Sequence, residues 1–298
     1  MPPTTETITP THTYHAEAHA LSGRLQRPVE QEIEHQAKLA LEDLKGGHFQ
    51  RVVEDVSIQG LVLFRKAHTR ISGSRSLKHN GWITISTSVV EGLNVFEVIT
   101  ADRLVAQVST DHPYENGHVP HVTFLGTQFN NFRVSGFKVK LEINLGICGA
   151  RPEDGRSYFD DTNFLKSVRG QNEKIVKAQG LPKEVKARYD ESLAGVDSLI
   201  RTAGKSDSRS KDPKLVCSVV QSIGEIPIPG VRSFGNIVVI PEFGTVALGE
   251  VVVGERMYED STRPNPYFEL TSLNMNLGCV GHGTVSGVVA MSNGRTKP

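Results

Sequence analysis

Cysteine, tryptophan and unbalanced charge are what this sequence has least of. It carries three cysteines, one tryptophan and six tyrosines in 298 residues. Cys148, Cys217 and Cys279 are odd in number and widely spaced, which builds neither a disulfide framework nor a Cys-x-x-Cys zinc knuckle. Lys+Arg and Asp+Glu balance at 33 each, so there is no basic footprint for nucleic acid or an anionic membrane surface, and no nucleic-acid partner is expected. No apolar run approaches the roughly 18 residues of a transmembrane helix. The opening stretch MPPTTETITPTHTYHAEAHA lacks the basic and apolar regions of a signal peptide. A reducing, by default cytoplasmic, location is expected, and signal-independent export would leave no mark here. No cofactor is expected either. Gly204-Lys205-Ser206 is similar to the end of a phosphate-binding loop, but Leu199 stands where that pattern needs glycine. The acidic run RPEDGRSYFDD, 151–161, lacks the alternating ligands and closing Glu of an EF-hand.

What is present is mostly strand. VVEDVSIQGLVLF (52–64), WITISTSVV (82–90) and LNVFEVITADRLVAQVST (93–110) are rich in Val, Ile, Thr and Phe and are punctuated by Gly, Asn and Asp. In the last of these, apolar residues stand at both odd and even positions, which predicts burial on both faces and places Phe96 in the core. Val139, Leu141 and Ile143 alternate with Lys138, Lys140 and Glu142, the period of a strand with one wet face. After residue 214 short apolar runs recur between Gly and Pro turns. The final segments, YFELTSLNMNLGCV and GHGTVSGVVAM, read as a closing hairpin.

One region is different. From Asp161 to Ala203, apolar residues recur at helical spacing, and Gly180-Leu181-Pro182 divides the stretch into two helices. Their apolar stripes are expected to pack within the chain rather than on another subunit. The polar run 204–214 reads as an exposed linker open to proteolysis. VEQEIEHQAKLALEDLKGG, 29–47, fits either period; helix propensity and the terminal glycines favour a helix. The expected fold is mainly β: an antiparallel two-sheet, sandwich-like domain made by 1–150 and 214–298 together, with a helical hairpin inserted at 155–205.

Several runs are similar to bacterial "choice-of-anchor P" type β domains: STSVVEGLNVFEVITADRLVAQVSTDHP (86–113), VTFLGTQFNNFRVSGFKVKLE (122–142), IVVIPEFGTVALGEVVV (237–253) and LTSLNMNL (270–277). The resemblance spans about two thirds of the chain and rests on packing and turn residues. It implies an all-β structural or adhesive module and brings no catalytic residues with it.

Chemistry-bearing residues cluster in DHPYENGHVPHVTF, 111–124. His112, His118 and His121 are the candidate metal ligands, since imidazole with carboxylate suits zinc or non-haem iron. Pro113, Asn116-Gly117 and Pro120 explain the same stretch as a hairpin loop, so a solvated turn is the expectation. Further back, HTYHAEAHA, 12–20, adds His12, His15 and His19, of which His15 and His19 with Glu17 share the polar face of a strand whose other face is Tyr14, Ala16, Ala18 and Ala20. Cys279 stands near His282 without a third group to complete a nucleophile. The favoured function is a non-catalytic structural or interaction module with a protein partner or self-association through strand edges. The alternatives are a metal-dependent enzyme using His112, His118 and His121, and a carbohydrate- or small-ligand-binding sandwich drawing on Trp82 and the tyrosines.

Overall fold

The computed structural model describes residues 11–77, 80–202, 213–257, 264–278 and 282–297. The first half holds β1 (Thr11–Leu25), β2 (Gln31–Gln36), β3 (Leu39–Asp43), β4 (Gly47–Ile58), β5 (Val62–Ser76), β6 (Gly81–Val95), β7 (Ile99–His112), β8 (His121–Thr123), β9 (Gln128–Asn130), β10 (Arg133–Val134), β11 (Phe137–Lys138) and β12 (Leu141–Ile143). Helices α1 (Thr162–Val176) and α2 (Lys183–Thr202) follow. The chain then forms β13 (Lys214–Ser218), β14 (Val220–Ile223), β15 (Arg232–Phe234), β16 (Ile237–Ile240), β17 (Gly244–Arg256), β18 (Asn265–Leu277), β19 (Gly283–Ser292) and β20 (Arg295–Lys297).

Two large antiparallel sheets result, beside a two-stranded ladder of β12 with β14. The ten-stranded sheet runs β15-β16-β17-β18-β19-β1-β2, with β13 on β17 and with β3 and β20 on β1. The eight-stranded sheet runs β11-β10-β7-β6-β5-β4, with β8 and β9 on β7. β18, β19 and β1 stack over β7, β6 and β5, which closes the sandwich. β1 shows how the pattern directs this: Tyr14, Ala16, Ala18 and Ala20 are buried and the residues between them are half-buried, as period-2 alternation requires. Small hydroxyl residues on the inner face let the sheets approach closely. Ser86 Oγ donates to Glu17 O at 2.7 Å and Ser88 Oγ to His19 O at 2.9 Å, so these buried groups are satisfied across the core.

The helical hairpin packs on the ten-stranded sheet. Asp161 caps α1 by accepting from Asn163 N and Phe164 N at 2.8 and 3.0 Å. Gly180, with φ of 79°, lies between the helices, and Pro182 immediately precedes α2. Ile175 and Tyr189 pack against Ile237 and Ala247. Arg188 of α2 forms an ion pair with Glu250 of β17, whose carboxylate is buried. The apolar stripes are thus covered by this chain's own sheet.

Three expectations need correction. Residues 29–47 are not a helix: β2 and β3 flank a turn in which Ala37 takes φ of 48°. The stripe satisfied both periods, and pairing with β1 decided for strands, burying Ile33 and Leu41. Phe96 is not a strand-core residue. It lies half-buried with Glu97 in the β6–β7 turn, both at positive φ. Nor is 93–110 one doubly buried run. In β7 the inward side chains are Ile99 and Ala101, then Leu104, Ala106 and Val108, so the strand changes face between Ala101 and Leu104. β6 makes the matching change around Gly92, which has φ of 65°, and the β6–β7 register is kept from Trp82↔His112 to Val95↔Ile99. Of the linker 204–214, residues 204–212 lie outside the described residues.

Candidate functional site

The three histidines proposed as metal ligands part company in the structure. His112 ends β7 on its inner face and is fully buried, with Nδ1 2.6 Å from Gly117 O. A carbonyl only accepts, so Nδ1 carries the proton and Nε2 is a bare lone pair. His118 is half-buried with Nε2 3.0 Å from Gly155 O. His121 opens β8, is exposed, and stands opposite Asp111 in the ladder. Among the described residues, no group of three or more His, Cys, Asp or Glu side chains is placed to hold a metal ion. The acidic run that follows has structural roles: Asp161 caps α1, and Ser157 binds Glu255. Arg151 ties down the histidine loop by donating to Val119 O at 2.8 Å and Asn116 O at 2.7 Å.

His112 has a different neighbour. His12 belongs to the inner face of β1, in phase with Tyr14, and is buried. Its ring stacks on Trp82 with centroids 5.0 Å apart and lies 4.7 Å from the ring of His112. Its Nδ1 is 2.9 Å from Thr296 Oγ1. The Nε2 atoms of both rings are shielded from solvent and make no hydrogen bond. Each lies 2.7 Å from the point that a Cβ on Gly294 would occupy, so only glycine allows the chain this close to both nitrogens. Burial pushes His12 down to about 2, aided by His112, and pushes His112 down to about 4. Both imidazoles are neutral at pH 7. Sequence reasoning grouped His12 with His15 and His19. The available signal was parity, because residue 12 is in phase with the buried even positions of β1.

The outer face of the eight-stranded sheet is the second candidate region. A cleft of about 340 Å³ there is lined by Arg70, Arg103, His68, Gln107 and Gln128 above Val89 and Val105, and no carboxylate is among its lining residues. Arg103 Nε is shielded and makes no hydrogen bond. Burial, followed by Arg70, lowers the His68 pKa. At the margin of this face β4 pairs only with β5 among the described residues. Most of its twelve residues are exposed, including Phe49 and Val52. Trp82 is buried under His12, so it is not part of any open binding face.

Cys148 and Cys217 are buried, and burial raises both thiols, Cys217 to about 12, so neither is a thiolate at neutral pH. Cys279 lies outside the described residues.

Fold and site together define a two-sheet antiparallel β protein with a buried histidine pair and an open outer sheet face. Residues 12–254 match the family described as "Domain of unknown function (DUF8256)", and the chain belongs to that family. No curated protein and no solved structure matches it.

Proposed function

We propose that the protein is a non-catalytic interaction module that self-associates by pairing the β4 edges of two copies. The observation that carries this reading is the edge itself. β4 is twelve residues long, whereas β11 at the other end of its path has two, and β15 and β2 at the ends of the ten-stranded path have three and six. An unpaired edge presents a row of N–H and C=O groups to any strand that fits. Its usual guards are engaged within the chain: Arg51 donates to Lys38 O at 3.1 Å, and Glu54 pairs with Lys66 at 2.6 Å. No proline interrupts it, and its one irregularity is Asp55, which takes φ of 52° and has no ladder partner on β5. Two-fold antiparallel pairings centred on Val52 or Val53 bring no like charges opposite each other. The likeness to structural or adhesive β domains points the same way.

Molar mass in solution tests this. The full chain should show a mass that rises with concentration toward a dimer. Val52→Glu should hold it as a monomer, because the introduced carboxylate would face its own counterpart in the Val52-centred pairing and Glu54 in the other. A wild-type mass that stays monomeric at all concentrations would remove the proposal.

A second reading rests on the outer-face cleft. Two guanidinium groups without a lining carboxylate favour a small anionic ligand, and about 340 Å³ lies within the size range of ligand sites. Calorimetric titration with glucuronate and inorganic phosphate, in wild type and Arg103→Ala, would test it. Binding lost in the variant supports the reading, and no heat with either ligand counts against it.

A further inference from the structure

We propose that His12 and His112 are the protein ligands of a transition-metal ion, copper or zinc, held through their Nε2 atoms where the two sheets meet. The two residues come from different sheets, a hundred positions apart in sequence, yet their rings lie 4.7 Å apart and the Nε2 atom of each is 2.7 Å from one point beside Gly294, where His12 also presents Cε1 at 2.5 Å. Neither atom has a hydrogen-bond partner or solvent access. A buried polar atom without a partner is costly, and two in adjoining rings require an explanation.

The arrangement behind each ring fits metal ligation. A ligating imidazole usually donates its other ring N–H to a carbonyl, carboxylate or hydroxyl, which fixes the tautomer and raises the basicity of the coordinating nitrogen. His112 does so to Gly117 O at 2.6 Å. His12 does the same when its Nδ1 donates to Thr296 Oγ1 at 2.9 Å. Both Nε2 atoms are then bare, so no proton has to leave before an ion binds. One cation would meet both lone pairs; a water donating one O–H to each nitrogen is the competing occupant, and metal retention separates the two.

Ligand type narrows the ion. Imidazole suits copper and zinc, while magnesium and calcium require oxygen. Two neutral donors leave a divalent charge uncompensated among Trp82, Tyr14 and the sheet interior, which favours copper(I) with its single charge. Access is short, because β20, only three residues long, covers this end of β1 by pairing Arg295 with Thr13 and Thr296 with His12.

The test uses the full chain stripped of metal. It is incubated with one equivalent of zinc(II), or anaerobically with one of copper(I), then desalted, and bound metal is measured together with the melting temperature. Retention of about one equivalent of either ion, with a higher melting temperature, is expected. Absorption spectroscopy of the zinc form should show imidazole nitrogen at about 2.0–2.1 Å. His12→Gln and His112→Gln should each abolish retention, while His118→Ala with His121→Ala in the same chain should keep it. Should the glutamine variants not fold, Gly294→Ala provides the same test, because its methyl group would come within 2.7 Å of both nitrogens. Failure of the wild type to retain either ion overturns the proposal. So does retention in folded His112→Gln, or loss of the ion in the His118/His121 double variant, which would return the site to the loop.

Discussion

The two sheets of this sandwich carry similar strands under different conditions. β17 and β18 of the ten-stranded sheet are buried at nearly every position, and the helices pack on β16 and β17. β5 of the eight-stranded sheet alternates, and β4 is exposed along most of its length. What differs is the covering, and it separates the roles: one sheet holds the fold together, while the other leaves a face and an edge within reach of partners.

This contrast predicts a hierarchy of effects. Phe268, fully buried in β18 with its ring 5.2 Å from that of Tyr158, should cost about 3–5 kcal/mol when replaced by alanine. Phe49→Ala in β4, at a position 43% exposed, should stay within about 0.5 kcal/mol. Urea denaturation of the two variants measures the difference, and equal losses would erase the distinction between the sheets.

A smaller effect is expected where the helices meet the covered sheet. Removing Arg188 leaves the buried Glu250 carboxylate with Asn274 Nδ2 at 3.1 Å but without its cation. Because the Arg188 side chain is about half exposed, Arg188→Ala should cost about 2 kcal/mol rather than the larger penalty of a fully buried pair. Adding Glu250→Gln to Arg188→Ala should recover part of it, since the amide is neutral. No recovery would mean that packing, not charge, holds α2 in place.

β1 also carries an acid response, to which His12, lowered to about 2 by burial and then by His112, and His112, lowered to about 4 by burial, contribute as well. His19 is lowered from 6.5 to about 4 by burial, then by His35 and Lys38, and His15 is lowered chiefly by burial. The unfolded chain therefore binds more protons than the folded one below pH 6.5. Stability from these residues is fully present above that pH and is lost progressively as pH falls toward 4. His19→Gln should flatten the fall between pH 6.5 and 4 in a series of urea midpoints. An unchanged slope would place the acid sensitivity elsewhere.

The same contrast explains what could be read from sequence. β1 was legible because one of its faces is uniformly inward, so Tyr14, Ala16, Ala18 and Ala20 keep a single phase. The helical hairpin was legible because Gly180 and Pro182 mark its break chemically. Residues 93–110 were misread because a turn at Phe96–Val98 and a change of face after Ala101 both shift the apolar phase, which imitates burial on both sides. Segment 29–47 satisfied two periods at once, and only its pairing with β1 separates them. The candidate site was legible in part. His112 was singled out, but the loop neighbours His118 and His121 were grouped with it by sequence proximity. Its spatial neighbour, His12, comes from the opposite sheet, and no spacing rule joins positions a hundred residues apart. Nothing in the β4 sequence announces an edge either, since being an edge depends on which strands are already paired.

Hydrogen exchange of the β4 amides, measured across a range of protein concentrations, tests the central claim most directly. Pairing between copies predicts that protection within 47–58 rises with concentration, that β16 and β17 show no such dependence, and that Val52→Glu abolishes the rise. Protection in β4 that stays low and flat at every concentration, in wild type and variant alike, would contradict self-association through this edge.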